Sequence, residues 1–171
     1  MKKHTISLEE TWLDFPSPEG NAVAIIMAGC EHNCKGCHSV SLQVFKKYEE
    51  SFEEMLIKIK NFAERANTNK LVFLGGDPLF FKNQELTKYL TSNLKKYDIC
   101  IFTGYDIEFV KKLALENVKY YKCGKFDKNL SRLSKKTDSE YILASENQNF
   151  YDSKYNLISD KGILYFNNEG K

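Results

Sequence analysis

The stretch Cys30-Glu31-His32-Asn33-Cys34-Lys35-Gly36-Cys37-His38 holds three cysteines at C-x3-C-x2-C spacing. Three thiolates this close together can wrap one small inorganic core. An iron–sulfur cubane held by three cysteines leaves one iron without a protein ligand. That iron can take a small molecule, so the spacing points to chemistry beyond electron storage. A structural zinc site competes with this reading, because the three thiolates with His32 or His38 also make a tetrahedral Cys3His set. The two histidines could equally hydrogen-bond cluster sulfurs or line a pocket. Location favours the [4Fe–4S] cluster: the cysteines directly follow the apolar run 22–28, where an α/β sheet places its ligands.

Gly75-Gly76-Asp77-Pro78 follows a second apolar run, 71–74. Glycine permits positive φ and a close approach of backbone to ligand. Asp77 offers an acceptor for an ammonium group, and Pro78 stiffens the exit from the turn. Capping the next helix is the plainer role for Asp77. Beside an open iron, the combination suits a zwitterionic amino acid chelated through its amino and carboxylate groups.

These residues need a scaffold. Residues 5–13 partly alternate, and 16–21 read as a loop from their Pro and Gly. Residues 22–27 are apolar throughout, as in a strand covered on both faces. Ser51 with Glu54 forms a predicted capping box, followed by apolar residues at helical spacing from Phe52 to about Ala66. A strand over 71–74, a helix over 84–96 and a strand over 99–102 follow. Asp106 then caps a helix reaching Leu115, and 118–123 make a fourth parallel strand. Residues 125–140 read as polar and irregular, 141–144 as a fifth strand, and 155–158 with 162–166 as a C-terminal hairpin around Asp160-Lys161.

This β-loop-α-β-α-β-α-β rhythm predicts an α/β fold with a parallel sheet. Four to five mainly parallel strands are too few for a closed eight-stranded barrel, so a partial, open (β/α) barrel with flanking helices is expected. Residues 1–171 form one domain: an N-terminal extended segment 1–21, a core 22–150 and a C-terminal extension 151–171. The cysteine loop, Gly75-Gly76-Asp77-Pro78 and Thr103-Gly104-Tyr105 all follow strands and should meet at one rim.

Composition narrows the classes. The chain is 42% apolar and 28% charged, with net charge +2, which gives no electrostatic case for nucleic acid or an anionic membrane as partner. A basic start without an apolar h-region, and no run near the ~18 residues a span needs, predict a cytoplasmic protein. Five cysteines with three clustered fit a metal or catalytic site, not a disulfide framework. Cys100 reads as a small hydrophobe inside a strand. Cys123 ends a strand at the rim, and packing is its expected role. His4 has no partner visible in sequence, and Trp12 and Tyr105 could be buried or face a partner protein.

At this point the chain resembles the radical S-adenosylmethionine superfamily, and within it the anaerobic ribonucleoside-triphosphate reductase activating proteins. The matching pieces are Ala28 to His38, Gly75-Gly76-Asp77-Pro78-Leu79, Asp98 to Tyr105, Gly124-Lys125-Phe126 and Ser145-Glu146-Asn147-Gln148. The resemblance implies that Cys30, Cys34 and Cys37 hold a [4Fe–4S] cluster whose open iron binds S-adenosyl-L-methionine. Reductive cleavage would give methionine and a 5′-deoxyadenosyl radical, which takes hydrogen from a glycine of the partner reductase. It further implies that Gly36, Cys37 and His38 lie against the adenine and sulfonium side, and that Gly75, Gly76 and Asp77 meet the methionyl end. A flavodoxin or ferredoxin is the implied electron donor. Where the family has Gly-Pro-Gly before the first parallel strand, this chain has Pro18-Glu19-Gly20. Two alternatives remain: a radical enzyme acting on another glycyl-radical protein or on a small molecule such as a deazapurine precursor, and a non-catalytic zinc-binding module.

Overall fold

A computed structural model describes residues 6–166. His4, Thr5 and residues 167–171 of the predicted C-terminal extension lie outside the described residues.

The predicted βα alternation is present. β1 (Ile6–Thr11) runs antiparallel to β2 (Ala22–Met27). Then come α1 (Phe52–Arg65), β3 (Lys70–Gly75), α2 (Gln84–Asn93), β4 (Asp98–Thr103), α3 (Ile107–Leu113) and β5 (Tyr120–Cys123). β2, β3, β4 and β5 pair side by side in parallel. Ser51 caps α1 as predicted: its hydroxyl accepts from Glu54 N, and Glu54 accepts from Ser51 N. Asp106 caps α3 by accepting from Phe109 N.

The later elements depart from expectation. β6 (Lys135–Lys136) lies in the stretch read as irregular, and pairs with β7 (Glu140–Ile142). β7 does not extend the main sheet. It pairs with β9 (Ile163–Tyr165) in a separate three-stranded antiparallel sheet. The main sheet instead ends at β8 (Asn149–Asp152), antiparallel to β5, giving the order β1-β2-β3-β4-β5-β8. The predicted C-terminal hairpin keeps its turn, because Asp160 and Ile163 exchange backbone bonds. Its two arms separate, however: β9 joins β7, and the preceding arm folds back on β8, with Ile158 N donating to Phe150 O.

Side-chain alternation along the strands sends apolar groups to both faces of the main sheet. One face, with Val23, Ile25, Met27, Phe73 and Ile101, packs under the helices with Met55, Ile59, Leu86, Leu90 and Val110. The other, with Ala22, Ala24, Val72, Cys100 and Phe150, is covered by Phe15 and by Tyr141, Leu143 and Leu164 from around the small sheet. Burial of each large apolar side chain contributes roughly 1.5–3 kcal/mol, so both covers hold the sheet. Among the described residues, no helix is long and apolar enough to cross a membrane.

Candidate cluster and cofactor site

The cysteine loop is built as a continuation of the sheet. Gly76 N donates to Met27 O and Asp77 N to Gly29 O, which carries the β2–β3 pairing one step past the strand ends. On the loop's other side, Gly29 N donates to Leu42 O and Cys30 N to Gln43 O, from a 3-10 turn at Val40–Leu42. Gly76 is squeezed between these chains. A Cβ there would stand 2.6 Å from both Gly29 O and Leu42 O, a distance at which something must move.

All three loop cysteines are free and partly exposed. Their thiols line one pocket of about 260 Å³. Cys37 N donates to Cys34 O, and Ser39 N donates to the Cys37 sulfur at 3.3 Å. Burial raises the Cys30 thiol above its usual range; the His32 amide, donating to that sulfur, lowers it, and the Asp77 charge adds to the rise. Cys30, His32 and Asp77 bring ligand atoms within 4.8 Å of one another, a group that Cys34 and Cys37 do not join.

Asp77 is 1% exposed, and its carboxylate joins three segments. It accepts from Leu79 N at 2.8 Å, from Thr103 Oγ1 at 2.9 Å, from Gly104 N at 2.9 Å and from His32 Nε2 at 2.6 Å. The expected ammonium acceptor therefore has its oxygens taken by donors of the chain itself, and stands behind the pocket wall. Thr103-Gly104-Tyr105 meets the cysteine loop from β4, as expected for one rim. Tyr105 stacks on Phe109, meets His32 edge-on and donates to Glu31.

The pocket opens on the sheet face opposite the helices, at the carboxyl ends of β3, β4 and β5. Gly75 and Gly76 form one wall, and Leu74 and Phe102 lie alongside. His38 meets Phe126 edge-on at 5.1 Å on the far side. The last two motifs brace each other there: Gln148 Nε2 donates to Gly124 O, Asn147 Nδ2 to Lys125 O, and Asp127 N to Ser145 Oγ.

Lys122 also lines the pocket, with its ammonium 4.6 Å from the Phe102 ring centre. Burial lowers its pKa, and Asp77 pulls the other way. Sequence reasoning missed this residue. A lysine within a short strand carries no signal of its own, although its two-residue offset from Tyr120 already placed both on one face. Cys123 faces the other way, into the core under the helices, where burial pushes its thiol up to about 12. Cys100 is fully buried on the opposite face.

The 4Fe-4S single cluster domain family matches residues 18–151. The chain belongs to that family. Among curated relatives, the anaerobic ribonucleoside-triphosphate reductase-activating protein of Enterobacteria phage T4 is 29% identical over 124 residues, covering 68% of this chain and 78% of the relative. The protein of that name from Haemophilus influenzae is 28% identical over 107 residues, covering 58% of this chain and 68% of the relative. A third, from Vibrio cholerae, is 28% identical over 103 residues, covering 56% and 65%. The similarity drawn from the motifs thus meets relatives of the same description. No solved structure matches the chain significantly. Within this 4Fe-4S family, the donor set here is three free cysteines lining one pocket, and it fits the cluster.

Proposed function

We propose that this chain holds a [4Fe–4S] cluster through Cys30, Cys34 and Cys37, binds S-adenosyl-L-methionine at its open iron, and generates a glycyl radical on an anaerobic ribonucleoside-triphosphate reductase. One observation carries the reading: three free thiols and the Gly75-Gly76 edge line a single pocket at the carboxyl ends of parallel strands. When bound, the cluster supplies the electron that breaks the sulfonium C–S bond and so starts hydrogen abstraction from the partner glycine.

The chain's residues bind, orient and shield. Gly75 and Gly76 let the methionyl end approach the backbone without a side chain between. Lys122 offers a cation to the methionyl carboxylate from the pocket floor. Gly36, Cys37 and His38, with Phe126, form the adenine and sulfonium side. Leu74 and Phe102 keep water from the reacting atoms. Asp77 holds the rim together from behind. The relatives' printed names support the reductase as partner, and the reading includes a flavodoxin or ferredoxin donor, a cytoplasmic location and a partial, open (β/α) barrel.

A zinc held by the three thiols and a histidine fits less well. At Zn–S bonds of about 2.3 Å, tetrahedral thiolates stand roughly 3.8 Å apart. Here the close group is Cys30 with His32 and Asp77, not the three thiols.

The deciding experiment is anaerobic. Purified protein, reduced and mixed with S-adenosyl-L-methionine and the cognate reductase, should produce a glycyl-radical doublet in the reductase by electron paramagnetic resonance. Deoxyadenosine formation with another substrate and no doublet would move the reading to a different radical reaction. Colourless protein carrying one zinc would end it.

A further inference from the structure

Three residues separate Cys30 from Cys34, and two of them are fastened to the strand ends across the pocket rim. Glu31 accepts from Tyr105. His32 reaches Asp77, with its side chain only 5% exposed. Asn33 then takes φ of +52°, which turns the chain back to Cys34.

We propose that His32 is a positioning residue for the cluster: bound to Asp77, it clamps the Cys30-to-Cys34 segment to the ends of β3 and β4, keeps the carboxylate beside the Cys30 sulfur fully hydrogen-bonded, and thereby sets how readily the cluster accepts an electron. This rests on the cluster reading above.

Three observations carry the proposal. First, a buried carboxylate needs its donors, because an unmet charge away from water is strongly unfavourable. Of the four donors to Asp77, Leu79 N, Thr103 Oγ1 and Gly104 N belong to the β3 and β4 ends, and His32 alone comes from the cysteine loop. Second, the ring has a made place. A Cβ on Gly104 would stand 2.5 Å from the His32 ring, so the imidazole fills the notch that glycine leaves, with Tyr105 edge-on at 4.4 Å. Third, Cys30 Sγ, a His32 ring nitrogen and an Asp77 oxygen lie within 4.8 Å of one another. Cluster potentials respond to nearby charge and to the hydrogen bonds around the ligands. Without the imidazole donor, the carboxylate's negative charge is less well met beside a ligand sulfur, and the added electron is disfavoured.

The test uses full-length wild-type, His32→Leu, His32→Gln and Tyr105→Phe proteins, reconstituted anaerobically with iron and sulfide and titrated with dithionite under electron paramagnetic resonance. His32→Leu should retain its iron and sulfide, yet its reduced-to-oxidised ratio at a fixed potential should fall about tenfold, a shift of about 59 mV for one electron. The Gln amide can donate to Asp77, so His32→Gln should recover most of that loss. Tyr105→Phe removes only the Glu31 strap and should leave the ratio within about twofold of wild type. In the apoproteins, exchange of the Cys37 amide, which donates to Cys34 O, should accelerate in His32→Leu and not in His32→Gln.

An unchanged ratio in fully loaded His32→Leu overturns the proposal. So does a Gln variant no better than Leu, or a Tyr105→Phe shift as large as that of His32→Leu. If His32→Leu loses iron, the Gln variant decides: retention at near wild-type potential supports the clamp, and equal loss defeats it. Wild-type protein that takes up no iron at all defeats the cluster reading instead, and the exchange measurement still reads the clamp.

Discussion

The five cysteines divide by where their sulfurs lie. Cys30, Cys34 and Cys37 line the pocket, Cys123 sits under the helices, and Cys100 is buried on the opposite face. Thiolate is the reactive and ligating form, so a thiol raised to about 12 stays protonated at neutral pH. In cluster-free protein at pH 8, iodoacetamide should label the three loop cysteines and spare Cys100 and Cys123, as read by peptide mass spectrometry. Cys34→Ser should abolish iron binding and S-adenosyl-L-methionine cleavage together, whereas Cys123→Ser should keep both. Lys122 obeys a different rule. Its folded-state pKa is lowered by burial, so between the folded and unfolded values the unfolded chain holds the extra proton. Stability therefore rises with pH through that window. Lys122→Met should flatten this rise in apoprotein melting temperature without lowering it at neutral pH. The same variant should weaken S-adenosyl-L-methionine binding by about tenfold or more, measured by anaerobic calorimetry, because it removes the pocket-floor cation.

At the scale of elements, local chemistry was legible and distant pairing was not. Ser51 and Glu54 lie three residues apart, so their capping box could be read directly, and Ser51→Ala should cost about 1 kcal/mol in apoprotein unfolding. Iron content should not change, since α1 contributes nothing to the pocket. Gly76 shows the reverse pattern. The glycine pair could be noticed in sequence, but the reason for Gly76 comes from Gly29 and Leu42, which only folding brings alongside. Gly76→Ala should displace the cysteine loop and lose most bound iron while leaving the helical far-ultraviolet circular dichroism intact. The His32–Asp77 bond spans 45 residues, so each residue was visible as a candidate and their union was not. β8 is short and reads Asn-Phe-Tyr-Asp, a weak strand signal; it exists because β5 offers an unpaired edge.

For the whole molecule, the parallel strands were legible because burial on two faces makes them apolar throughout. What covers the second face was not, since the small sheet draws on β6, β7 and β9 across a long span of chain. The loop is anchored to the sheet through Gly29, Cys30 and His32 and both sheet faces are covered without it, so removing the iron with a chelator should leave the fold in place, with unchanged circular dichroism and elution volume.

The layering has a further consequence. No residue of α1, α2 or α3 lines the pocket. The outward side of the helical layer is therefore a handle. Coupling the protein to a resin through one azide-bearing residue introduced at position 60, on the exposed side of α1 and chemically distinct from the reactive loop thiols, would leave the rim turned outward to the solution. A column made this way offers every bound molecule in one orientation, with the chemically active end presented to whatever flows past.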